Sequence, residues 1–119
     1  MQLLTWNPQA HSIRKKWLFK KETRMQVDIT ARHFTPSVQL KEMVYEKLKK
    51  IEKFNNDIIS CRVILTKETN FEEVEIVIHG KGHHFISHEN FENFEKSLIS
   101  AVDKITIQIK KQHEKLVNH

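Results

Sequence analysis

Residues 25–54, MQVDITARHFTPSVQLKEMVYEKLKKIEKF, decide the fold, because the apolar period changes partway along them. Val27, Ile29 and Ala31 alternate with Gln26, Asp28, Thr30 and Arg32, the two-residue period of a strand with one buried and one wetted face. Further on, Leu40, Val44, Leu48 and Ile51, with Met43 and Phe54 beside them, fall at helical spacing. Lys41, Lys47, Lys49, Lys50 and Lys53 take the rest of that helix surface. Thr35-Pro36-Ser37 marks the helix start. Either hydroxyl can accept from the first free amides, and Pro36 suits the first turn, where its missing N–H has no partner to lose.

Asn55-Asn56-Asp57 is a stop and turn signal, since these side chains bond to local backbone and tolerate unusual angles. A strand follows over residues 60–67, with Cys61, Val63 and Leu65 on one face and Arg62, Ile64 and Thr66 on the other. Glu68-Thr69-Asn70 turns the chain into a strand over 73–79, with Val74, Ile76 and Ile78 inward. Gly80-Lys81-Gly82 reads as a hairpin connection. The last strand, His83 to Ser87, is polar enough for an edge. A second long helix starts near Asn90 or Asn93, with Phe91, Phe94, Leu98, Val102, Ile105 and Ile109 as its stripe. Glu92 and Glu95 near its start and Lys110, Lys111 and Lys115 near its end suit the helix dipole.

The predicted order is β-α-β-β-β-α, an α+β fold with a four-stranded mixed sheet. A strand, a helix and a second strand at this spacing make a right-handed crossover with parallel strands, and tight hairpins make the rest antiparallel. Both amphipathic helices then cover the one apolar sheet face. Roughly parallel, they bring Lys47, Lys49, Lys50 and Lys53 close to Lys104, Lys110, Lys111 and Lys115, while the acids gather at 68–75 and 89–95.

With 119 residues, 39% hydrophobic composition and only two glycines and two prolines, the chain has room for one core and few breaks in it. The formal charge is +5. Six basic residues against Glu22 lie in residues 1–24, and fourteen against fourteen in residues 25–119, so the body is neutral and any basic surface must come from charge placement. The expected domains are a basic arm over 1–24 and a folded unit over 25–119. The arm has three readings: a flexible segment touching RNA or an acidic surface, a targeting segment, or translated upstream sequence with Met25 as the true start, which the abrupt onset of order favours. No apolar run has signal or span length, and Cys61 is the only cysteine. A cytoplasmic protein without disulfide or membrane segment is expected.

Catalytic signals are missing: no nucleophile is paired with a base, and the glycines join two strands and open no helix. Cys61 reads as a packed small hydrophobe. His79, His83, His84 and His88 cluster on one hairpin. Alternation sets His83 and His84 on opposite faces and no cysteine or carboxylate completes a ligand set, so neither metal nor cofactor is expected. A milder role is that their protonation strengthens RNA binding as pH falls. Phe91 and Phe94 are expected in the core.

From Met25 onward the chain resembles the ribosome hibernation-promoting factor and ribosome-associated inhibitor family, especially its short, single-domain members. The likeness is carried by MQVDITARHF at 25–34, EKLKKIEKF at 46–54, CRVILTKE at 61–68 and VDKITIQIKKQHEKLVNH at 102–119. The resemblance implies a non-enzymatic factor that binds the small ribosomal subunit and its ribosomal RNA in the channel used by messenger and transfer RNA, inhibiting translation in stationary phase or stress. It implies basic contacts at Lys41, Lys47, Lys50, Lys104, Lys111 and Lys115. Charge placement adds Lys53 and Lys110, and Arg32 and Tyr45 are further candidates. Ile107 departs from the basic residue that short members carry. A chain ending at His119 is expected to act as a monomer and to need a separate factor for pairing ribosomes. Two alternatives are a generic double-stranded-RNA-binding module and a non-RNA regulator that binds a protein.

Overall fold

A computed structural model describes the backbone of residues 3–6, 14–20, 26–53 and 58–117, with side chains over 26–53 and 58–114. The elements are β1 (Leu3–Trp6), β2 (Arg14–Lys20), β3 (Gln26–Arg32), α1 (Val38–Glu52), β4 (Ile58–Lys67), β5 (Glu72–Gly80), β6 (His83–Phe91) and α2 (Phe94–Val117). From β3 onward this is the β-α-β-β-β-α order expected, with four strands in a mixed sheet. β3 and β4 are parallel, with Val27 opposite Cys61 and Ile29 opposite Val63. β4 to β5 and β5 to β6 are antiparallel.

The arm adds to this sheet. β2 pairs antiparallel with the outer edge of β3, Trp17 opposite Ile29, and β1 pairs antiparallel with β2. The full strand order is therefore β1-β2-β3-β4-β5-β6. Periodicity alone assigns no strand to a run as short as Trp17-Leu18-Phe19 set among lysines. An edge strand takes much of its order from the unpaired N–H and C=O groups of its neighbour, which its own sequence does not display. The start at Met25, Phe54 and the turn at Asn55-Asn56-Asp57 lie outside the described residues.

Alternation builds the core. Val27, Ile29, Cys61, Val63, Leu65, Val74, Ile76, Ile78 and Phe85 point from one sheet face into α1, which supplies Val44, Leu48 and Ile51, and α2, which supplies Leu98, Ala101, Val102, Ile105 and Ile109. Each Val, Ile, Leu or Phe among them contributes about 1.5–3 kcal/mol in transfer from water. Four details differ from the sequence expectation. Lys41 is 6% exposed, because it precedes Val44, Tyr45 and Leu48 by three, four and seven residues and shares their stripe; a lysine stem can lie along apolar surface. Tyr45 is in the core. Phe91 ends β6 at 42% exposure, since the strand runs on past Ser87 and the helix begins later. Pro36 precedes the Ser37 cap, whose Oγ accepts from the Leu40 amide at 3.1 Å, and so lies outside the first turn.

The hairpin between β5 and β6 pairs Gly80 with His83 and leaves Lys81-Gly82 at the bend, with Gly82 at φ +78°, an angle that glycine takes without strain. Asn93 caps α2, its Oδ1 accepting from the Lys96 amide at 2.9 Å. Glu72 adds a second acceptor at that end, its Oε1 taking the Phe94 amide at 2.8 Å. Ser97, fully buried, donates to the Glu72 carbonyl at 2.5 Å and accepts from the Phe91 amide at 2.8 Å. One hydroxyl thus joins the start of β5, the end of β6 and the first turn of α2.

Removing that hydroxyl leaves two part-buried groups, the Phe91 amide and the Glu72 carbonyl, without the partner they share. Ser97→Ala should destabilise the fold by about 1–3 kcal/mol in a denaturant titration, and a loss within error of zero would show that water replaces the hydroxyl there.

Candidate nucleic-acid interface

Helix direction places the charge. β3, β4 and β6 point the same way, and each helix returns from the end of one of them, so α1 and α2 run in the same sense over the same sheet face. Their starts are held together by Phe34, just before the Ser37 cap, which stacks on Phe94 of α2 at 5.0 Å between ring centroids. Their C-terminal halves, where the lysines are, consequently lie at one end of the domain. α2 has 24 residues and α1 has 15, so the nine extra residues carry α2 about 13 Å further at ~1.5 Å per residue.

The eight expected lysines divide by position. Lys50 and Lys53 are exposed at the end of α1, and Lys110 and Lys111 are exposed on α2. Lys47 is half-buried and Lys41 is buried near the start of α1, away from that end. Lys115 belongs to the last turns of α2. Lys104 and Lys111, seven residues apart, share a helix face. That face is the β6 side, because Lys104 reaches Glu89 and Gln108 Nε2 donates to the Ile86 carbonyl at 2.8 Å. Of the two further candidates, Arg32 ends β3 half-buried and Tyr45 is packed inside, with the Lys49 ammonium 5.0 Å from its ring centroid. Ile107 is 51% exposed on the outer face of α2.

Sequence periodicity misses the contact around Lys104. Its Nζ donates to Glu89 Oε2 at 2.9 Å, while Ser100 Oγ donates to Glu89 Oε1 at 2.8 Å. Glu89 lies on β6 and its partners on α2, fifteen and eleven residues later, and no local spacing rule joins them. The hydrogen bonds from Lys104 and Ser100 hold the Glu89 carboxyl below its ordinary 4.5, with the positive charges of Lys104 and His88 adding to the effect and burial opposing it.

The other candidate chemistries stay dispersed. His79 faces His84 across β5 and β6 at 6.0 Å between centroids, His83 meets the Phe85 ring at 5.2 Å, and His88 Nε2 lies 3.0 Å from Glu73 Oε1. Among the described residues no group of three His, Cys, Asp or Glu side chains is placed to hold a metal ion. Burial, with the Asp28 charge adding, pushes the Cys61 thiol far above its ordinary range, which keeps it protonated and unreactive. No helix among the described residues is long and apolar enough to cross a membrane.

Residues 27–117 match the sequence profile of the family described as sigma 54 modulation protein / S30EA ribosomal protein. Among curated proteins, the chain is 29% identical over 91 residues to a ribosome hibernation promoting factor of Pseudomonas putida, covering 76% of this chain and 89% of the relative. It is 27% identical over 93 residues to one of Azotobacter vinelandii, covering 78% and 87%. Among solved structures, a ribosomal subunit interface protein from Coxiella burnetii shares the fold with a TM-score of 0.68 at 17% identity, over 76% of this chain and 97% of that one. The N-terminal domain of Thermus thermophilus Protein Y shares it with a TM-score of 0.64 at 18% identity, over 76% and 98%.

The depressed Glu89 carboxyl fixes a pH dependence. Because the folded value lies below the unfolded one, the stabilisation is complete above pH 4.5 and fades as pH falls through the folded value. Glu89→Gln should therefore melt below the unaltered protein at neutral pH, and the gap should close in acid. A gap that is the same at neutral pH and near pH 3 would contradict this assignment.

Proposed function

This chain belongs to the sigma 54 modulation protein / S30EA ribosomal protein family, and on that premise we propose that it is a ribosome hibernation factor. It binds the small ribosomal subunit in the channel of messenger and transfer RNA and blocks translation in stationary phase or stress. The observation that carries this reading is the family match across 27–117, which runs from β3 through α2, together with curated relatives named for ribosome hibernation. Its action is that of a non-enzymatic plug: the folded domain occupies space that transfer RNA requires.

The contact is electrostatic. Lys50, Lys53, Lys110, Lys111 and Lys115 lead at the shared helix end, with Lys47 and Lys104 on its approach, and each phosphate neutralised by a lysine releases counterions. Recognition is of backbone and shape, because the deep major groove of A-form RNA hides its bases from side chains. Lys41, buried near the start of α1, ranks last of the eight. In this reading 25–119 is the ribosome-binding unit, the protein acts as a monomer in the cytoplasm, and a separate factor pairs ribosomes where pairing occurs.

Co-sedimentation with purified small subunits at several salt concentrations tests this. Tight binding that weakens steeply with salt is expected, and Lys50→Glu combined with Lys53→Glu and Lys111→Glu should abolish it. The corresponding glutamine triple variant should flatten the log–log salt slope by roughly two to three units. Equal binding to free duplex RNA would point to a generic RNA module, and binding to neither would point to a protein partner. A second variant, Ile107→Lys, adds charge on the exposed face of α2 and should tighten binding severalfold, whereas an unchanged affinity would move the contact off that face.

A further inference from the structure

Of the lysines proposed to meet RNA, Lys104 is already engaged. Its ammonium is bonded to Glu89, a residue of β6 whose side chain is 14% exposed and whose other carboxylate oxygen is held by Ser100. The Lys104 side chain itself is 59% exposed, so a phosphate can approach it from solvent. It cannot gain the full lysine charge there, because the two partners together carry none. The carboxylate is also anchored at both oxygens to α2, which limits how far it can swing aside when RNA arrives.

We propose that Glu89 is a restraining residue for RNA binding, holding Lys104 in an internal ion pair and so withholding one cation from the contact surface. The proposal rests on the ribosomal RNA reading and sets the strength of that same contact. Its consequence is a submaximal affinity written into the chain: a phosphate gains Lys104 only by competing with a carboxylate already in place. Carboxylate and phosphate oxygens seek the same ammonium. The competition costs affinity even though the lysine stands at the surface.

The restraint makes a distinctive pattern in a double-mutant cycle. The unaltered chain, Glu89→Gln, Lys104→Gln and the double variant are compared for binding to purified small subunits over a range of salt, after thermal melts establish that each is folded. Glu89→Gln keeps an acceptor for Ser100 while releasing the ammonium. It should bind severalfold more tightly at low salt, with a log–log salt slope steeper by about 0.7–0.9, the contribution of one more neutralised phosphate. In the Lys104→Gln background the same substitution should give a much smaller gain and no added slope. Equal gains in both backgrounds would mean that Glu89 acts only as a distant negative charge, and the restraint would be overturned. A larger gain in the Lys104→Gln background would also overturn it, because Lys104 would then contact RNA with the pair intact. If no variant bound small subunits at all, the RNA reading would fall first and the restraint with it.

Discussion

The parallel pairing of β3 with β4 is the constraint on which the rest depends. Two parallel neighbours cannot be joined by a tight turn, so the chain must cross over, and α1 is that crossover. The right-handed rule then puts α1 on one side of the sheet. Val27, Ile29, Val63 and Leu65 make the same side apolar. The next two strands are joined by short turns and carry the chain to β6, from whose end α2 can only return over the same apolar face. The shared direction of the helices, and hence the meeting of their basic ends, follows from that one pairing.

Dipole and charge reinforce this polarity. Acidic Glu92 and Glu95 lie at the N-terminal end of α2, with Lys96 paired to Glu92 one turn away, and lysines lie towards its C-terminus, the arrangement the helix dipole favours. A chain whose residues 25–119 are formally neutral therefore has a basic end. That end is the feature a phosphate surface would find, while net charge would not reveal it.

Most of this architecture is legible in the sequence because two periods suffice for it. Val27, Ile29 and Ala31 announce a strand, Val44, Leu48 and Ile51 a helix, and the order of the elements does the rest. Residues that serve two roles escape this logic. Lys41 is charged by type but stands at an apolar position of α1, and Tyr45 has a polar tip but a core address. Phe91 has the spacing of the α2 stripe, yet Asn93 and Ser97 fix the helix start beyond it. The Glu89 to Lys104 pair joins a strand to a helix across fifteen residues, and only the folded packing of α2 on β6 brings it together. β2 depends in the same way on a partner, the edge of β3, that lies elsewhere in the chain.

If the lysines make the contact, the end where α1 and α2 finish faces RNA and the end where they begin faces away. Site-specific photo-crosslinking on small subunits tests it most directly, with the probe placed in turn at positions 53, 111 and 92 by substituting Lys53, Lys111 and Glu92. Crosslinks to ribosomal RNA from the first two positions and none from the third are the result expected. Crosslinks from position 92, with none from 53 or 111, would show that the basic end is a solvated surface and that the domain meets the ribosome the other way round.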